Sequence, residues 1–169
     1  MDYWKPNATV AAVIAREDGR LLMIEEHTPE GLRLNQPAGH LDPAESLQQA
    51  VEREALEETG WRVRAIALQG LYMGRYANRK AGIDVTYLRH AFLCEPVSHD
   101  PSRPLDEGIV GAVWMTPTEI LSQPERHRSP LVARTVEDFV AGKRYPLDLL
   151  WTHPSALEPS LLSPAPQPE

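Results

Sequence analysis

Cysteine is nearly absent: Cys94 stands alone in 169 residues, which excludes a disulfide within the chain and a multi-cysteine metal site. No apolar run approaches the roughly 20 residues that span a bilayer. The segment Met1-Asp-Tyr-Trp-Lys-Pro6 also lacks the apolar core of a secretion signal. A cytoplasmic protein without a membrane partner is therefore expected. Basic charge is short as well, with 17 lysines and arginines against 24 acidic residues and a net charge of −7. Nucleic-acid phosphates are bound by basic patches, so this balance argues against a nucleic-acid surface. No internal repeat is visible. The length suits one domain with a sizeable core.

What the chain does have is a dense acidic stretch. Asp42, Glu45, Glu52, Glu54, Glu57 and Glu58 fall within 17 residues. Ser46 followed three residues later by Gln49 is a capping-box start, and Gly60 is a natural stop, so a helix is expected over 47–59. At about 100° per residue, Leu47, Ala50, Val51 and Ala55 form its apolar face. Glu52 projects away from that face, as a solvated charge would. Glu54 and Glu58 fall in its middle, and Glu57 lies at its edge. Burying unpaired carboxylates costs several kcal/mol each, about what forces them to protonate. A divalent cation removes the conflict, because oxygen ligands at i, i+3 and i+4 converge on one point suited to Mg²⁺, with Mn²⁺ as a substitute. Arg53 offsets part of the remaining negative field.

Along the chain, residues 8–15 read as a buried strand, Glu17-Asp-Gly-Arg20 as a hairpin turn and Leu21–Ile24 as the returning strand. Residues 27–32 read as a mobile connection. After the helix, strands are expected at 63–68, 71–76, 85–94 and 109–115, with a hairpin loop at 77–84 and a proline-containing loop at 95–105. Thr116-Pro117 and Ser129-Pro130 each start a helix, the second stopped by Gly142. Arg126 and Arg128, just ahead of that second start, are candidate substrate-phosphate contacts, and so is His40 beside the acidic segment. Residues 1–150 form the expected domain. The tail, 151–169, holds five of the 16 prolines and no core of its own. A mixed β-sheet covered by helices on both faces follows from this order.

The segment Gly39, Glu45, Arg53-Glu54-Ala-Leu-Glu57-Glu58-Thr-Gly60-Trp61 resembles the Nudix box, the signature of the Nudix hydrolases. Ala55 and Trp61 depart from the usual aliphatic residues, and Pro37-Ala38-Gly39 replaces the usual Pro-Gly-Gly. The resemblance covers roughly residues 8–150 and implies an α/β/α sandwich. It further implies that Glu54, Glu57, Glu58 and the Gly39 carbonyl hold metal, and that Glu54 helps deprotonate water. Arg53 would orient the glutamates, with Glu45 as its partner and Gly60 as a structural stop. Asp106 or Glu107 would supply a further ligand or base. Residues 35–41, 128–132 and 144–147 are similar to the NudJ-type phosphatase branch. That similarity implies a small phosphorylated substrate, such as a nucleoside di- or triphosphate or a thiamine-pathway pyrophosphate, and a monomer or homodimer. Other Nudix pyrophosphatases and a catalytically silent ligand sensor are the competing readings.

Overall fold

The computed structural model describes residues 3–78 and 82–160. Its centre is β1 (Asn7–Ile14), in which every residue from Thr9 onward is buried. A run without polar alternation is what a strand covered on both faces requires. β1 pairs antiparallel with β4 (Ala38–His40) and parallel with β6 (Ile83–His99), and β6 pairs antiparallel with β5 (Trp61–Asn78). The resulting mixed sheet has the order β4-β1-β6-β5. Beside it, β2 (Leu21–Thr28) pairs antiparallel with β3 (Gly31–Asn35) and β7 (Ile109–Met115), giving a three-stranded sheet β3-β2-β7.

Helices cover both faces, as the element order implied. α1 (Leu47–Thr59) contributes Ala50, Val51 and Ala55 to a cluster with Val10, Ala12, Ile14, Phe92 and Leu22. On the opposite face, α2 (Pro117–Leu121) and α3 (Pro130–Val140) bring Ile120, Val132 and Val136 against Val13, Leu21, Met23 and Leu93. Leu147 and Leu150 pack on the α1-side core, whereas Trp151 is exposed.

Four expectations need correction. Residues 27–32 are the paired end of the β2–β3 hairpin, not a mobile connection: only 29–30 lie outside the strands, and Thr28 Oγ1 accepts from Glu30 N–H at 3.2 Å and donates to Gly31 O at 2.8 Å. The two expected strands at 63–68 and 71–76 are one, β5, whose register shifts at Arg62/Val63, Ala65/Ala67 and Leu68/Gly70. Bulges of this kind break the period-two pattern and bend the strand. Glu52 is not simply solvated, since its carboxylate accepts from Ala65 N–H at 3.0 Å beside one of these bulges. The expected loop at 95–105 begins later, because β6 continues to His99. Pro96 is tolerated there because it falls opposite Val63 at a register shift. Of the hairpin loop placed at 77–84, residues 79–81 lie outside the described residues, while β5 and β6 enclose it.

Gly60 ends α1 in the left-handed region, φ 71°, and its N–H donates to Leu56 O at 3.0 Å. A Cβ at this position would also lie 2.7 Å from Asp100 O. Asp100 N–H in turn donates to Gly60 O at 3.0 Å, so this glycine sets the path of the segment that carries Asp106. Gly60→Ala is expected to cost about 1–3 kcal/mol from the backbone conformation alone. Urea denaturation measures it, and a midpoint equal to wild type would contradict the close approach.

Candidate active site

α1 is fixed at its start by reciprocal capping: Ser46 Oγ accepts from Gln49 N–H at 3.2 Å, and Gln49 Oε1 accepts from Ser46 N–H at 2.8 Å. Held at both ends, the helix presents Glu54, Glu57 and Glu58 toward β4. Arg53 is the hub of the carboxylates on its own side. Its Nε and Nη2 donate to the two oxygens of Glu45 at 3.0 and 2.7 Å, and its Nη1 donates to Glu54 at 2.8 Å and Glu57 at 2.9 Å. Nη2 also reaches the His40 carbonyl at 3.0 Å. These hydrogen bonds, with that to Glu45 first, raise the Arg53 pKa further despite partial burial. Burial works against ionised Glu45, yet Arg53 and the Asp42 N–H outweigh it and hold its pKa below the usual range.

Glu54 and Glu58 are the strained carboxylates. Burial raises Glu54, with Arg53 opposing and Glu57 and Asp106 adding to the rise. Glu58 is pushed up to about 8, first by burial, while its hydrogen bond from Ala38 N–H at 2.8 Å pulls the other way. The negative charges of Glu54, Glu26 and Asp106 push it higher still. Gly39 lies directly under this group: a Cβ there would stand 2.2 Å from the carboxylate atoms of Glu54. Its φ is not in the left-handed region, so the glycine is required for room. Gly39→Ala is expected to displace Glu54 and lower turnover on the order of tenfold or more while leaving most of the fold in place. An unchanged kcat would contradict the close packing.

The expected site residues separate clearly. Gly39, Glu45, Arg53, Glu54, Glu57 and Glu58 come together. Asp106 joins them, since its N–H donates to Glu57 O at 3.2 Å and its charge acts on Glu54 and Glu58. Glu107 is exposed. His40 is exposed on β4, its ring 6.1 Å from that of Tyr87. Arg126 pairs with Glu25 and donates to Gln123 Oε1 at 2.8 Å. Arg128 leans over the Tyr76 ring at 5.7 Å and sits 3.6 Å from Glu26. Two residues had not been marked from the sequence, Glu26 and Arg89. Glu26 ends the apolar run of β2, and Arg89 interrupts the apolar pattern of β6. A charge inside a strand of that kind was the available signal.

A divalent cation fits this donor set. All the donors are oxygens, the preference of a hard ion, and Glu26 Oε1 is buried with no hydrogen-bond partner. The excess of negative charge that lifts Glu54 and Glu58 is what a cation would relieve. As the side chains stand, no three His, Cys, Asp or Glu groups among the described residues are close enough to ligate one ion. The reason is Arg53, which engages Glu54 and Glu57 and occupies the place of positive charge.

The model of the NUDIX domain matches residues 5–136. The chain belongs to the Nudix hydrolases. Over 147 residues it is 37% identical to a protein described as Phosphatase NudJ from Escherichia coli strain K12, covering 87% of this chain and 92% of that one. A solved NUDIX hydrolase from Nitrosomonas europaea is 48% identical with a TM-score of 0.79, over 89% of this chain and 99% of that chain. A C. elegans Ap4A hydrolase shares the fold with a TM-score of 0.59 at 18% identity, over 80% of this chain and 96% of that one. For this Nudix hydrolase, then, the carboxylate face of α1 beside β4 is the place to look for chemistry. No helix among the described residues is long and apolar enough to cross a membrane.

Proposed function

We propose that this enzyme hydrolyses phosphoanhydride bonds of small nucleoside di- and triphosphates with the help of Mg²⁺, releasing orthophosphate. Pyrophosphate esters of the thiamine pathway belong to the same substrate class. The observation that supports this reading is the crowding of carboxylates around the half-buried Glu58, whose acid is pushed up first by burial and then by the charges of Glu54, Glu26 and Asp106. Similarity to a relative described as a phosphatase supports orthophosphate as the product. We place the enzyme in the cytoplasm, with residues 1–150 as its working domain.

Glu54, Glu57, Glu58 and the Gly39 carbonyl would hold the cation. When bound, Mg²⁺ would neutralise phosphate oxygens and acidify water at the site. The chain's own contribution is positional. Glu45 anchors Arg53, and Arg53 in turn gathers Glu54 and Glu57 on one side of the helix. Burial raises the basicity of Glu54, which makes it a better proton acceptor from water than an exposed glutamate. Asp106, brought up by the segment beyond Gly60, is the alternative acceptor.

Incubating one nucleoside triphosphate with enzyme and Mg²⁺, then separating orthophosphate from pyrophosphate, tests the product assignment. Stepwise orthophosphate is expected. Monophosphate plus pyrophosphate would overturn the phosphatase reading and favour a nucleotide pyrophosphatase.

A further inference from the structure

Arg89 is a half-buried cation without an adequate partner. It lies on β6, directly across from Thr9 of β1. Its Nε is buried and makes no hydrogen bond, and one Nη reaches Asn35 Oδ1 at a long 3.5 Å. A guanidinium carries five N–H donors in a rigid fork. Placing one inside a protein without carboxylate or phosphate contact is costly. The resident anions do not meet the need. Glu58 and Glu26 attract Arg89 by charge, but Glu58 accepts from Ala38 N–H and Glu26 is paired with Arg128.

The neighbours repeat the pattern. Thr9 Oγ1, adjacent in the ladder, is buried without a hydrogen bond, and so is Glu26 Oε1. Arg128 reaches the same neighbourhood through Glu26, which it meets at 3.6 Å and which also attracts Arg89, and Tyr76 supports its guanidinium face. Two like charges are thus brought together with donors unspent, beside the carboxylates of α1. Arg126, by contrast, is occupied by Glu25 and Gln123.

We propose that Arg89 and Arg128 form a two-arginine clamp for the phosphate groups of the substrate, holding the phosphoryl chain against the acidic face of α1. The clamp rests on the phosphoanhydride reading and identifies how that substrate is gripped. A guanidinium fork matches two phosphate oxygens at once, a geometry that lysine cannot reproduce. A ligand phosphate would also give Arg89 the charge partner that its present surroundings withhold. Glu26 then has a second consequence: phosphate must compete with it for Arg128, which disfavours weak monoanions.

The test uses the full chain with Arg89→Met, Arg89→Lys and Arg128→Met, and Arg64→Met as a remote control on the exposed pair with Glu95. Two readouts are taken: KM and kcat for a nucleoside triphosphate in Mg²⁺, and the melting temperature with and without inorganic orthophosphate. Loss of one charged hydrogen-bonding group corresponds to a change on the order of tenfold to a hundredfold. Arg89→Met and Arg128→Met should raise KM by that factor and abolish protection by phosphate, with Arg64→Met unchanged. Arg89→Lys should fall between, and it carries the test if Arg89→Met does not fold. KM and phosphate protection within twofold of wild type in a folded Arg89 variant would overturn the clamp. So would a wild-type protein that phosphate does not protect. If the wild type hydrolyses no phosphoanhydride yet gains Arg89-dependent protection from phosphate, the clamp stands and the proposed reaction fails.

Discussion

Glu58→Gln is expected to lower turnover by about a hundredfold to ten-thousandfold, the scale on which a positioned acid–base or charge-stabilising group acts. The same change should stabilise the protein in chelator, which sets it apart from ordinary damage to a fold. Glu58 in the folded chain holds its proton up to about pH 8, against 4.5 for an exposed glutamate. Between those values the folded state binds more protons than the unfolded state, so stability without metal falls as pH rises through that window. The full effect is on the order of a few kcal/mol. Glutamine keeps the acceptor for Ala38 N–H and removes the charge. The metal-free wild type should therefore melt lower at pH 8 than at pH 5.5, and Glu58→Gln should flatten most of that slope, leaving the lesser contribution of Glu54. A wild-type melting temperature that holds or rises between those pH values would contradict the buried charge.

Arg53→Met should cause the largest loss of stability. Its removal strands Glu45, whose side chain is 13% exposed, with only the Asp42 N–H as a partner. Breaking a buried ion pair from one side costs about 3–5 kcal/mol, or on the order of 10 °C in a chain of this size. Turnover should fall as well, because Glu54 and Glu57 lose their common anchor. Adding Glu45→Gln separates the two effects. The double variant should regain part of the stability, since Glu45 is then no longer an unpaired charge while Glu54 and Glu57 still lack Arg53, but it should regain no turnover. Urea midpoints and kcat for the two variants decide this. An Arg53→Met protein within about 1 kcal/mol of wild type would show that the hub is a weak surface pair.

The acidic helix was legible to the residue, because each end carries its own chemistry: the Ser46–Gln49 reciprocal cap and the left-handed Gly60. α2 and β7 were legible for similar local reasons, a Thr-Pro start and an uninterrupted run of apolar residues. The long strands were not. β5 and β6 reach from Trp61 to Asn78 and from Ile83 to His99, but bulges shift their alternation and Pro96 imitates a loop. Such irregularities are set by pairing between distant strands, which no local window contains. The same limit applied to the site. The box residues Gly39 through Gly60 share one stretch of chain and a fixed spacing. Glu26, Asn35, Arg89 and Arg128 come from four other segments, and only the sheet registers bring them to one cleft. For the two basic candidates ahead of α3, proximity in sequence could not distinguish Arg126 from Arg128; the Glu25 and Glu26 side chains of β2 do.

The central claim is that the carboxylate face of α1 hydrolyses phosphoanhydrides only when its charge is balanced by a divalent cation. Orthophosphate release from a nucleoside triphosphate, measured on chelator-treated enzyme during back-titration with Mg²⁺, tests this most directly. Turnover should be absent in excess chelator, return with added Mg²⁺ and fail to return in Glu58→Gln. Full turnover in excess chelator would contradict the account.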